Sequence, residues 1–112
     1  MSKKILILCI LILLSFSTIS EQKKILHIGD QYLADTSYGT TIQKLLKDTG
    51  AEVYSYGVAG SEANNWVVGT AGSFSKFENT LTKTSGSQSF KLQDLKTTHN
   101  PNIVIISLGT NY

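Results

Sequence analysis

The chain has 112 residues, and its ten lysines, with no arginine, face eight acidic residues for a formal net charge of +2. Lys3, Lys4 and 13 of the hydrophobic residues fall in the first 20 positions, so the remainder is electrically balanced. A balanced remainder has no basic surplus to neutralise a phosphate backbone, which excludes electrostatic nucleic-acid binding. About ninety residues exclude two folded domains.

Positions 1–20 have the three parts of an export signal. Met1 to Lys4 is positively charged, Ile5 to Phe16 is apolar except for Ser15, and Ser17 to Ser20 is rich in small residues. A helix of that apolar length spans about 18 Å, against a hydrocarbon core of about 30 Å. The expectation is therefore cleavage before Glu21 and an exported (periplasmic or secreted) domain over 21–112. The alternative is an uncleaved N-terminal membrane anchor. The single cysteine, Cys9, lies inside the apolar run. The remainder then offers no disulfide, no thiol nucleophile and no Cys-based metal site. Its two histidines, His27 and His99, are far apart in sequence, so no metal and no cofactor is expected.

Lys24 to Gly29 is an apolar run closed by glycine and predicts a buried strand. Asp30 to Ser37 reads as a loop. Tyr38, Ile42, Leu45 and Leu46 recur at helical spacing, with Ser37 as N-cap and Gly50 where a helix-terminating glycine belongs. Glu52 to Gly57 predicts a second strand, and Ser61 to Trp66 the start of a short helix. The Ser-, Thr- and Gly-rich stretch from Thr70 to Ser89 reads as surface loop with at most one helical turn. Phe90, Leu92 and Leu95 predict a helix ending near His99, because Pro101 biases Asn100 away from helix. Asn102 to Gly109 carries an unbroken β-branched run and predicts a parallel strand covered on both faces.

The order is βαβαβ, an α/β class with a three-layer, flavodoxin-like parallel sheet of about three strands. In such sheets ligands bind at the carboxyl ends of the strands, near the point where strand order reverses. All three strands end in glycine followed by polar groups: Gly29-Asp30-Gln31, Gly57-Val58-Ala59-Gly60-Ser61 and Gly109-Thr110-Asn111. They should converge on one edge. No G-x-G-x-x-G or P-loop follows the first strand, so there is no phosphate cradle.

These three loops, in this order and each after a predicted strand, resemble the first three blocks of the SGNH (GDSL-type) hydrolases. The resemblance covers nearly all of Lys24 to Tyr112 and implies an esterase fold, with an ester or an acylated glycan as ligand. It implies that position 31 is the nucleophile position and Asp30 part of the first block. By the same resemblance, Gly60 and Asn111 occupy oxyanion-hole positions beside the backbone N–H of residue 31. The chain departs from the family pattern in three places. Gln31 replaces the serine, and an amide has no hydroxyl for a base to activate. Tyr112 stands where the family usually has Asp. No Asp-x-x-His block occurs within these 112 residues. The expected function is that of an exported esterase-family member that is itself inactive. The alternatives are a non-catalytic, ligand-binding pseudo-enzyme and a non-functional truncated fragment, and an exposed strand edge would then favour self-association.

Each residue also has a plainer reading. Asp30 is either a carboxylate supporting the site or a helix-start aspartate. Gln31 is either a lost serine or a polar binding group, and Gly60 is alternatively a turn glycine needing positive φ. Trp66, with Asn64 and Asn65, either lines a groove or packs its loop. His99 reads as a helix C-terminal residue favoured by the dipole, and Tyr54 and Tyr56 as packing along one strand face.

Overall fold

The computed structural model describes residues 22–35 and 37–109. The predicted leader, and the third-loop residues Thr110, Asn111 and Tyr112, lie outside the described residues. Five strands form one mixed sheet: β1 (Lys24–Gly29), β2 (Glu52–Val58), β3 (Ser73–Glu78), β4 (Thr84–Ser87) and β5 (Ile103–Ser107). The helices are α1 (Gln31–Asp35), α2 (Ser37–Lys47), α3 (Asn65–Val68) and α4 (Leu92–His99).

The sheet order is β4-β3-β2-β1-β5. β1 pairs in parallel with β2 on one side and with β5 on the other, from Ile25 opposite Ile103 to Gly29 opposite Ser107. The three parallel strands therefore run second, first, third, which puts the reversal of strand order between β1 and β5. Alternation along β1 divides the core. Leu26 and Ile28 pack with Tyr56, Val58, Phe74, Trp66, Phe90 and Leu95 on one face. Ile25 packs with Val53, Ala51 and the half-buried Leu46 of α2 on the other.

Five elements differ from the sequence expectation. The stretch read as surface loop, Thr70 to Ser89, holds the β3–β4 hairpin, which joins the sheet antiparallel to β2. The sheet is thus five-stranded and mixed, where three parallel strands were expected. Phe74 and Phe77 alternate faces within β3 and are both buried, which supplies the apolar half of a strand pattern that serine and lysine dilute. β4 has no buried side chain and is held by backbone pairing with β3, a Ser75–Ser85 hydroxyl hydrogen bond at 3.2 Å, and the contact of Gly86 with the Phe74 ring.

The expected loop after β1 contains the helical turn α1. The Asp30 carbonyl accepts the N–H groups of Leu33 (3.1 Å) and Ala34 (3.0 Å), and both side chains are buried. In α2 the buried positions are Gly39 and Gln43, while Tyr38 and Leu45 are exposed. Gln43 is tolerated inside because its amide nitrogen and oxygen are both hydrogen-bonded. It donates to the carbonyls of Val53 and Thr80 and accepts from the Ser55 hydroxyl at 2.6 Å. Ser37 is the first residue of α2 instead of its cap. Finally, β5 is not covered on both faces: Ile103, Val104 and Ile106 are exposed among the described residues, because β5 is the edge strand.

The remaining elements lie close to their expected places, although α3 starts at Asn65, four residues after Ser61. α4 ends at His99, and Asn100 turns left-handed (φ 48°) just before Pro101. Gly50 (φ 92°) follows α2.

Candidate functional site

The carboxyl ends of β1, β2 and β5 do converge. Asp30 closes β1 and starts α1: its Oδ1 accepts the Tyr32 N–H at 3.2 Å, an N-terminal cap contact. The side chain is almost fully buried yet reaches a cavity of about 500 Å³. Tyr32, Leu33 and Tyr38 form one wall of that cavity, and Ser107, Leu108 and Gly109 at the end of β5 form the other. The cavity therefore sits at the strand-order reversal, where α/β sheets hold their ligands.

The two loops at β1 and β2 are tied together. Gly60 lies at φ 74°, and the Ser61 N–H bonds the Val58 carbonyl across the turn. A side chain at position 60 would meet nothing within 4 Å, so backbone conformation, not space, calls for glycine there. The Gly60 N–H donates to Oε1 of Gln31 at 3.2 Å. Ser61 is buried, and its hydroxyl donates to the Gly29 carbonyl (3.3 Å) and accepts the Trp66 indole N–H (3.2 Å). This Trp66–Ser61–Gly29 chain holds the Gly60 turn over the end of β1. At Gly57, an added Cβ would stand 2.6 Å from the Ala34 backbone N. Glycine there lets α1 press directly on β2.

The structure thus brings Gln31 and Gly60 into contact and puts Asp30 on the cavity wall. Asn111 lies outside the described residues. Trp66 is a core residue and does not line this cavity, which decides between its two readings in favour of packing. Ser61 is a positioning residue that the sequence reading passed over, because a serine after a glycine turn is indistinguishable from loop.

A second missed pair lies in the same region. His27 is buried inside the sheet, and its Nε2 shares a 2.7 Å hydrogen bond with Oγ of Ser107. Burial pushes its pKa down from 6.5 to about 4, so the ring is neutral at pH 7. The two residues are 80 positions apart and meet only because β1 and β5 are neighbours.

His99 serves a different place. Its Nε2 shares a 2.7 Å hydrogen bond with the Tyr56 hydroxyl, and its ring stacks on Tyr54 at 4.1 Å. Burial lowers the His99 pKa and raises that of Tyr56. A second cavity of about 320 Å³ opens beside this pair, bounded by Lys76, Glu78 and Asp94. Neither histidine is hydrogen-bonded to Gln31 or Gly60 in the geometry above. No group of three or more metal-ligating side chains occurs among the described residues. No helix among them is long and apolar enough to cross a membrane.

Together these features define an α/β domain with a mixed five-stranded sheet and a cleft at its strand-order reversal. Compared with known proteins, the chain matches no family model, no curated protein and no solved structure.

Proposed function

We propose that this chain is an esterase-like domain of the SGNH type that holds a ligand in the β1/β5 cleft without hydrolysing it. The observation that carries the reading is the hydrogen bond from the Gly60 N–H to Gln31 Oε1 at 3.2 Å. By resemblance, residue 31 is where a hydrolase of this family keeps its nucleophile, and Gly60 gives one of its oxyanion donors. Gln31 removes both functions at once. Its amide cannot be deprotonated to attack a carbonyl. Its carbonyl oxygen also takes the N–H that would otherwise stabilise a developing oxyanion.

The parallel strand order and the cleft position support the same reading, and the leader's composition supports export of the domain. A serine-directed fluorophosphonate tests the absence of a nucleophile. Intact-mass spectrometry should find the protein unmodified after prolonged exposure. A stoichiometric adduct on any serine would refute the proposal.

A further inference from the structure

Ser107 faces the same cleft and is held from behind by a buried histidine, an arrangement that neither Gln31 nor Gly60 requires. Along β5, Ser107 and Ile105 point to the face that His27 occupies on β1, and no side chain at Gly29 intervenes. An added Cβ at Gly29 would come within 3.1 Å of the Ser107 carbonyl and closer still to Leu33. The imidazole therefore reaches up the sheet to the Ser107 hydroxyl at 2.7 Å.

The other ring nitrogen fixes the direction of that bond. Nδ1 of His27 is buried with no hydrogen-bond partner among the described residues. A neutral imidazole carries one proton, on one of its two nitrogens. Orphaned buried N–H groups are rarer than orphaned acceptors. The proton accordingly sits on Nε2, and His27 donates to Ser107 Oγ. The serine's own O–H must then point elsewhere, and Ser107 is half-buried with the cavity in front of it.

We propose that His27 sets the Ser107 hydroxyl as a hydrogen-bond donor into the cleft, and that the cleft takes a small neutral N-acyl amide. The amide carbonyl receives the Ser107 hydrogen bond. Asp30 lines the same cavity, and a carboxylate side chain there, an acceptor when ionised, favours a ligand that carries an N–H over an anionic one. Tyr32 and Tyr38, both largely exposed at the rim, with Leu33 and Leu108 below them, face the apolar part. The same polarity makes Ser107 a binding residue and not a nucleophile, since its partner is not placed to take its proton.

This proposal rests on the reading of the cleft as a ligand site but not on the absence of hydrolysis. Its test uses the whole protein, isotope-labelled, with acetanilide as the probe. The His27 ring nitrogens should show Nε2 protonated and Nδ1 bare. Acetanilide should bind saturably and shift the amides of Asp30 and Ser107. Ser107→Ala should weaken acetanilide about fivefold, the effect of one hydrogen bond, and leave ethylbenzene unchanged. His27→Gln, which keeps a donor near the Nε2 position, should retain acetanilide binding, whereas His27→Leu should lose it to the level of Ser107→Ala. Melting temperatures of all variants separate loss of the donor from loss of the fold. A proton on Nδ1, no saturable acetanilide binding, or equal affinity in Ser107→Ala would overturn the proposal. A fluorophosphonate adduct would overturn the preceding section while leaving the His27 proton where it is.

Discussion

His27 shows how one buried side chain can set the acid sensitivity of a small domain. Its folded pKa, about 4, lies below the ordinary 6.5 because burial opposes the charged ring. Between pH 6.5 and 4 the unfolded chain therefore takes up a proton that the folded chain refuses. Stability is flat above pH 6.5 and falls as pH drops through that window, by at most about 3 kcal/mol from this residue. Glu78, held below its ordinary value chiefly by the Lys76 hydrogen bond, and His99, lowered by burial, add to the loss in acid. Urea unfolding measured from pH 7.5 to 4 should show the decline, and His27→Gln should remove the largest part of it while leaving a residual slope. An unchanged slope in that variant would mean that His27 is not held neutral by the fold.

At the same scale, Gln31 could be read from the sequence as a departure from a serine position, but its partner could not. Gly60 is 29 positions away, and only the end-to-end alignment of two parallel strands puts its N–H against the amide oxygen. Ser107 was equally hidden: a serine at the end of an apolar run carries no sign of a histidine 80 residues earlier.

Among the elements, β1 was legible as a glycine-closed apolar run, because a parallel strand buried on both faces needs no polar alternation. β1 and β2 match their expected bounds to within a residue. The β3–β4 hairpin was not legible. Its outer strand, Thr84 to Ser87, has no apolar residue, and its inner strand alternates phenylalanine with serine and lysine. Tertiary pairing with β2 supplies what the local pattern lacks. The apolar face of α2 was legible only in part: Leu46 packs against the core, whereas Gln43, hydrogen-bonded through both its amide nitrogen and oxygen, takes the buried position that the spacing assigns to Tyr38 and Leu45.

Phe74 joins the hairpin to the core. It packs edge-on against Phe90 at 5.0 Å, and Gly86 of β4 lies close against its ring. Phe74→Ala should cost about 3 kcal/mol in chemical denaturation and release β4 first, as read by amide exchange at residues 84–87. Uniform protection of those amides in the variant would show that the hairpin stands without the phenylalanine.

For the molecule as a whole, the edge of the sheet that no described residue covers matters most. β5 carries no charge from Ile103 to Ser107, and Ile103, Val104 and Ile106 are 42%, 36% and 57% exposed. An apolar edge strand without a charged or proline guard recruits further strands. The purified protein is therefore expected to self-associate as its concentration rises, and Val104→Lys should shift sedimentation toward the monomer. A monomer at high concentration with the native Val104 would show that this edge is protected.

On the function proposed above, the cleft at the ends of β1, β2 and β5 binds without turning over, because the amide of Gln31 offers no nucleophile and holds the Gly60 N–H. Hydrolysis of p-nitrophenyl acetate by the purified protein tests it most directly, measured beside a Gly60→Ala control and a buffer blank. The protein and the Gly60→Ala control should hydrolyse it at the same rate, with neither showing saturable turnover. Saturable turnover by the native chain that the Gly60→Ala substitution abolishes would contradict it.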